Sequence, residues 1–337
     1  PKRAQDAIIS RIKVMAGLDV AEKRLPQDGR IKIKVNEKDI DVRVSIIPSS
    51  FGEQVVMRLL DKTSSIMTLD YIGMEHELEK QMVSLITRPQ GVFLVTGPTG
   101  SGKTTTLYAS LQLINTPEKN ILTVEDPVEY LLPGISQMQV NPKIELNFAR
   151  ALRSFLRQDP DVIMVGEIRD EETARIAIQA ALTGHLVFST LHTNDSSSAL
   201  TRLIDMGIEP YLLTSSITAI LAQRLIRKTC PYCREVYNLS DFEQEILSDY
   251  KISQGKKFYK GKGCDACINT GFMGRVGIFE LLIVSNKIRQ MVQEKRSSEE
   301  IKAQAQKEGM KTLREDGLNK AIEGVTTLSE VIRVTIE

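Results

Sequence analysis

Residues 91–104 read GVFLVTGPTGSGKT. The first six form a short apolar run bounded by glycine, the pattern of a strand buried on both faces. The next eight match G-x-x-x-x-G-K-[ST] at every fixed position. The glycines let the backbone curl until successive N–H groups face phosphate oxygens. A helix opening near Lys103 adds the positive end of its dipole. Lys103 suits the β- and γ-phosphate charge, and the Thr104 hydroxyl suits Mg²⁺. Gly97, Pro98, Thr99, Gly100, Ser101, Gly102, Lys103, Thr104 and Thr105 are the candidate contacts for magnesium-bound ATP.

C-terminal to this loop, apolar strands and amphipathic helices alternate. Helix is expected to about residue 115, strand at 121–125, helix at 148–157 and strand at 162–166. Helix 171–182 stops at Gly184, strand 186–191 follows, and then helix 196–206. This alternation predicts a parallel sheet wrapped by helices, an α/β fold. The stretch 126–146, with Pro127, Pro133 and Pro142, reads as a long functional loop. Ligands of such sheets sit beyond the carboxyl ends of the strands. Glu125 and Asp126 end one strand, Glu167 another and His192 a third, whereas Asp159 and Asp161 precede their strand and read as a turn and a solvated edge. Hydrolysis needs a group that positions or activates water near the γ-phosphate. Glu167 is the first candidate, Glu125 the second, on water or on Mg²⁺, and Glu129 a weaker third inside the loop. The aspartate that usually organises Mg²⁺ at the end of this strand is replaced by Gly166-Glu167, which leaves the division of carboxylate roles open. His192 reads as a γ-phosphate sensor, a subunit contact or a structural group; His185 and His76 read as structural and exposed.

On the N-terminal side, 5–16 has helical spacing. IKIKV at 31–35 and IDVRVSI at 40–46 alternate strictly around the polar stretch 36–39, a hairpin pattern, and 54–60 adds a strand. Residues 1–80 are read as a small α+β domain, 81–90 as a linker and 91–337 as the large domain. Arg43 lies on the strand face opposite Ile40, Val42, Val44 and Ile46; Arg58 lies on the next strand. On these residues alone, both fit a solvated face.

The large domain changes character after residue 227. Cys230-x-x-Cys233 and Cys264-x-x-Cys267 lie in a segment, 228–277, rich in Gly and Lys. Four thiolates suit structural Zn²⁺ with no open position; redox pairs or an iron–sulfur cluster are the alternatives. Residues 285–337 read as a helical tail. The 337 residues are 42% hydrophobic, with 44 Lys+Arg against 43 Asp+Glu. That near-neutrality argues against a nucleic-acid binder. No apolar run approaches the ~18 residues that span a bilayer, and no leader pattern opens the chain, which reads as cytosolic. It begins with Pro1 rather than Met, as a fragment would.

Four segments together resemble the secretion ATPases that power type IV pilus assembly and type II secretion: GPTGSGKT at 97–104, ILTVEDPVEY at 121–130 (the Asp box), LRQDPDVIMVGEIRD at 156–170 (the divergent Walker B) and TGHLVFSTLHTND at 183–195 (the His box). The resemblance implies a RecA-like P-loop NTPase domain and a small PAS-like N-terminal domain. It implies a homohexameric cytoplasmic ring at the inner face of the membrane, held there by an inner-membrane platform protein and other pilus or secretion components. It implies a hydrolytic role for Glu167, supporting roles for Glu125 and Glu129, and a site role for His192. Arg43 in VRVS and Arg58 in GEQVVMRLL match arginines that reach the nucleotide phosphates when the small domain closes. A tetracysteine insertion favours assembly or secretion over retraction, and LRSFLRQDPD is closer to pilus-assembly members. A nucleic-acid translocase and a non-hydrolysing nucleotide-gated scaffold are the competing readings. Neutral charge argues against the first, intact Lys103 and Glu167 against the second.

Overall fold

In the computed structural model, residues 4–35, 38–61, 68–248, 250 and 256–336 are described. Of the polar stretch expected at 36–39, residues 36–37 lie outside them, as do residues 62–67 of the expected small domain. The chain forms two units: Pro1–Ile66 with Glu129–Leu131, and Met67–Val128 with Leu132–Glu337.

In the small unit, helix α1 (Gln5–Ala16) precedes strands β1 (Gln27–Val35), β2 (Lys38–Ser49) and β3 (Gly52–Asp61), an antiparallel sheet in the order β1-β2-β3. The alternation read from the sequence is the packing that forms. Ile31, Val42, Val44 and Ile46 turn to one face and close over Ile9 and Ala16 of α1. Helix α1 ends where Gly17 takes φ 69 and its N–H returns to the helix carbonyls. Lys13, buried in α1, has its charge compensated by Glu53 at 2.6 Å and the Glu22 carbonyl at 2.6 Å.

The larger unit opens with buried Leu69, Ile72 and Met74 and then α2 (His76–Ile86). Next come β4 (Gly91–Thr96), α3 (Lys103–Ile114), β5 (Ile121–Glu125), β6 (Ser136–Gln139), α4 (Phe148–Phe155), β7 (Val162–Val165), α5 (Glu171–Leu182), β8 (Leu186–Leu191), α6 (Ser196–Asp205), α7 (Pro210–Ser216) and β9 (Ile217–Thr229). A small ribbon pairs β10 (Arg234–Tyr237) with β11 (Phe258–Gly261), with α8 (Asp241–Ser248) between them in sequence. Strand β12 (Phe272–Ile283) follows, and then α9 (Asn286–Gln293), α10 (Ser298–Lys307), α11 (Leu313–Ile322) and α12 (Leu328–Thr335) make the helical tail.

The main sheet runs β12-β9-β4-β8-β7-β5-β6. Five of its six pairings are parallel, as expected; β12 returns antiparallel along β9. Val92, Leu94, Val124, Ile163 and Val187 pack against α4–α7. Alternate residues turn to the opposite face, which α3 covers. The sequence reading missed three strands of this sheet, β6, β9 and β12. Strand β6 is SQMQ inside the expected loop; its Gln137 serves as a hydrogen-bonding group, and the strand shows no apolar alternation. Strand β9 is a long apolar run directly after a helix, where periodicity cannot separate strand from buried helix.

Side-chain caps mark the tail helices: Ser285, Ser297, Thr312 and Thr327 each accept a backbone N–H three residues on. Glu330 joins the tail to β9. Burial pushes its carboxyl up, but the guanidiniums of Arg333 and Arg227 overcome that and hold it at about 2.

Candidate functional site: a phosphate loop and its acid cluster

Because β4, β5, β7 and β8 run parallel, their carboxyl ends share one edge of the sheet. That edge carries Gly97, Glu125, Glu167 and His192. The loop after β4 can form only with glycine at its ends. A Cβ on Gly97 (φ 148) would lie 2.4 Å from the Gln223 carbonyl oxygen, and one on Gly102 (φ 90) 2.8 Å from Gln223 Nε2. Gly102 caps α3 without a side-chain hydrogen bond. The first-turn N–H groups of Lys103, Thr104 and Thr105 are therefore open to an anion. Pro98, Thr99 and Gly100 form the exposed lip, while Ser101 is buried and its hydroxyl has no hydrogen-bond partner among the described residues.

Lys103 folds back onto the Gly97 carbonyl at 2.7 Å and the Pro98 carbonyl at 3.2 Å. Burial lowers its pKa, and the charge of Glu167 works against that shift. Glu167 is largely buried and is bonded by Arg169 on one oxygen and by His192 Nε2 at 3.2 Å on the other. Its backbone is pinned from both sides. Gly166 N donates to Val124, Thr190 Oγ1 donates to the Gly166 carbonyl at 2.7 Å, and Ile168 N donates to Thr190. Thr193, beside His192, exchanges hydrogen bonds with Thr96 Oγ1, so the His192 loop is tied to the strand that feeds the phosphate loop.

Glu125 stands apart from this group. Its carboxylate is 2% exposed and accepts from Tyr108 Oη, Thr123 Oγ1 at 2.6 Å and Gln137 Nε2 at 3.1 Å, all beneath the strand end. Glu129 accepts from Arg43 Nη2 at 3.1 Å within the small unit. Arg58 is exposed opposite Arg43 in the β2–β3 register. Asp161 accepts from Asn120 N at 2.7 Å and Asp159 sits in a turn with φ 50, both before β7. His185 bonds the Ala180 carbonyl at the end of α5, and His76 is exposed.

Two contributors went unread in the sequence. Gln223 on β9 supports the phosphate loop and holds Thr106 Oγ1 at 2.6 Å. It lies in a strand that was not recognised. Arg169 bonds Glu167 and has its own charge favoured by Glu167 and Asp126. It stands in plain view two residues after Glu167, but nothing in its spacing marks it.

The cysteines form a second constellation. The four Sγ atoms lie within 4.8 Å of one another. The Cys230–Cys264 and Cys233–Cys267 pairs are at 3.9 Å, Cys264–Cys267 at 3.7 Å. A tetrahedron with Zn–S of about 2.3 Å has edges of about 3.8 Å, so the donor set fits zinc. Burial pushes the Cys233 thiol up to about 12. At Cys267 burial acts in the same direction, but N–H donors from Cys264 and Gly271 outweigh it and hold the thiol at about 6.

Parallel strand order, a glycine-framed phosphate loop and an acid at the same sheet edge, two strands away, define a P-loop nucleotide-binding domain of the α/β, RecA-like kind. A family model described as "Type II/IV secretion system protein" matches residues 1–333, and the chain belongs to that family. It is 52% identical over 339 residues to the "Type IV pilus assembly ATPase PilB" of Thermus thermophilus, covering all of this chain and 38% of that protein. It is 53% identical over 338 residues to the "Type II secretion system protein E" of Pseudomonas aeruginosa, covering all of this chain and 67% of that one. Among solved structures, the pilus retraction motor PilT with bound ADP superposes with a TM-score of 0.66 at 27% identity, over 93% of this chain and 78% of that one. The chain thus spans between about two fifths and two thirds of these curated relatives. Among the described residues no helix is long and apolar enough to cross a membrane.

Proposed function

We propose that the chain is the motor portion of an ATPase that hydrolyses ATP to ADP and phosphate and drives type IV pilus assembly. The observation that carries the reading is that parallel β4, β8 and β7 bring the phosphate loop, with Lys103 folded onto it, and Glu167 to the same edge of the sheet. On nucleotide binding, Lys103 exchanges its two loop carbonyls for β- and γ-phosphate oxygens, and the open N–H groups of α3 take the rest. Thr104 would hold Mg²⁺, which would supply positive charge to the phosphates. Water attacks the γ-phosphorus in line; its proton passes to Glu167 as the bond from the γ-phosphorus to the β–γ bridging oxygen breaks. His192, bonded to Glu167, senses whether the γ-phosphate is present. Glu125 holds the strand end in place through Tyr108 and Gln137, and Glu129 keeps Arg43 in reserve. Arg43 and Arg58 add charge stabilisation at the phosphates on closure. The four cysteines would hold a structural Zn²⁺.

ATP drives motion to the extent that it binds a closed arrangement better than an open one. The working form is a homohexameric ring at the inner face of the cytoplasmic membrane, recruited by an inner-membrane platform protein. The second reading is a type II secretion motor, favoured by the 53% identity to the Pseudomonas protein. A deletion strain that loses surface pili and keeps enzyme secretion supports the first; the reverse supports the second. For the chemistry, Lys103→Ala should cut phosphate release from Mg·ATP by at least about a hundredfold. Undiminished release would remove the phosphate loop from the mechanism.

A further inference from the structure

Behind the His192 loop lies a buried carboxylate that the chemistry above does not use. Glu280 of β12 is 1% exposed. Its Oε1 accepts the Ser196 backbone N–H at 3.0 Å and the Ser196 hydroxyl at 2.5 Å, and its Oε2 accepts the Leu313 N–H at 3.4 Å. Ser196 and Leu313 are the first residues of α6 and α11. Burying a carboxylate is costly unless donors meet its oxygens. Here two helix N-termini meet them, with orphan N–H groups and the positive ends of two dipoles. Ser196 stands four positions after His192. Between them, Thr193 N donates to Thr96 Oγ1 at 2.9 Å, and Thr193 Oγ1 donates to the Asp195 carbonyl at 2.9 Å. The Asn194 carbonyl accepts from Arg224 Nη2 at 3.3 Å, and the Asp195 carboxylate from Lys302 Nζ at 3.1 Å. The loop is thus anchored in front at Thr96 and behind at Glu280, and the exposed ring of His192 reaches Glu167 from between these anchors.

We propose that Glu280 is a positioning residue for ATP hydrolysis: by gripping the first turn of α6 it holds the loop that keeps His192 on Glu167. This rests on the reading above that Glu167 and His192 act at the γ-phosphate. An exposed imidazole on a loop keeps one contact only when its backbone has little freedom, and a displacement of about 1 Å costs about a hundredfold in rate. An apolar residue at 280 would fill the space and hold neither helix start. Glu280→Gln isolates that function. The amide keeps the size of the carboxylate, but its NH₂ must turn toward the N–H of Ser196 or that of Leu313, and both are donors. One helix start then loses its acceptor, while β12 keeps its backbone pairing with β9.

The test is a double-mutant cycle on the full chain: wild type, Glu280→Gln, His192→Ala and the double variant, reading kcat, the ATP dissociation constant and the melting temperature. Glu280→Gln should lower kcat about tenfold and leave ATP affinity within a few-fold of wild type. In the His192→Ala background the same substitution should lower kcat no further. Ser196→Ala removes a single donor and should show a smaller loss with the same dependence on His192; it carries the cycle if Glu280→Gln does not fold. Wild-type kcat in Glu280→Gln, or in Ser196→Ala where that variant carries the cycle, would overturn this inference and leave the hydrolytic reading standing. Equal losses with and without His192 would assign Glu280 to the packing of the tail and also overturn it. Wild-type kcat in His192→Ala would overturn the reading of His192, and this inference with it.

Discussion

Glu167→Gln should lower steady-state phosphate release by about a thousandfold while leaving ATP affinity within a few-fold of wild type. The amide keeps the size of the carboxylate and can still bond one of its two neighbours, Arg169 or His192. It cannot accept a proton from water. General-base catalysis contributes roughly 10² to 10⁴ in rate, and the loss should fall in kcat because the interaction with water matters only as the bond forms. Lys103→Ala differs in kind: it removes a charge that the bound triphosphate also feels, so binding and turnover fall together. Glu125→Gln separates the two acids. Its carboxylate faces Tyr108, Thr123 and Gln137, so substitution disturbs packing first. Turnover in Glu167→Gln close to wild type would transfer the base role elsewhere.

Loss of the metal should have the second large effect. If the four thiolates hold one zinc per chain, Cys267→Ser or exhaustive chelation should lower the melting temperature on the order of 10 °C. The cysteine segment has little else to hold it. Its β10–β11 ribbon is short, and Leu247 and Phe258 have a core only because Leu318, Ala321 and Leu328 of the tail cover them. The backbones at Gly261 and Gly271 approach so closely that a Cβ on Gly261 would lie 2.1 Å from the Gly271 carbonyl oxygen. Cys267 is the instructive choice, since it accepts N–H bonds from Cys264 and Gly271 and its thiol is already held low. Elemental analysis gives the stoichiometry and calorimetry the stability. Metal-free protein that melts with the untreated protein would contradict the zinc assignment.

The strands that bury both faces were plain in the sequence because GVFLVT, ILTVE and VIMV are continuous apolar runs between polar turns. Their shared direction follows from the helices between them, and with it the gathering of Glu167 and His192 beside the phosphate loop. Other features resisted. Strand β6 carries the hydrogen-bonding side chain of Gln137 and shows no apolar alternation, and β12 closes the sheet in the opposite direction from a segment dominated by its cysteines. Glu125 read as a strand-end acid, yet whether its carboxylate faces water or Tyr108 depends on partners distant in sequence.

A structure of the Glu167→Gln chain with Mg²⁺ and ATP tests the central claim most directly. The account predicts the β- and γ-phosphates within hydrogen-bonding distance of Lys103 Nζ and the first N–H groups of α3, with residue 167 as the side chain nearest the γ-phosphorus on the side away from ADP. A triphosphate bound elsewhere, or residue 167 turned away from its terminal phosphorus, would contradict it.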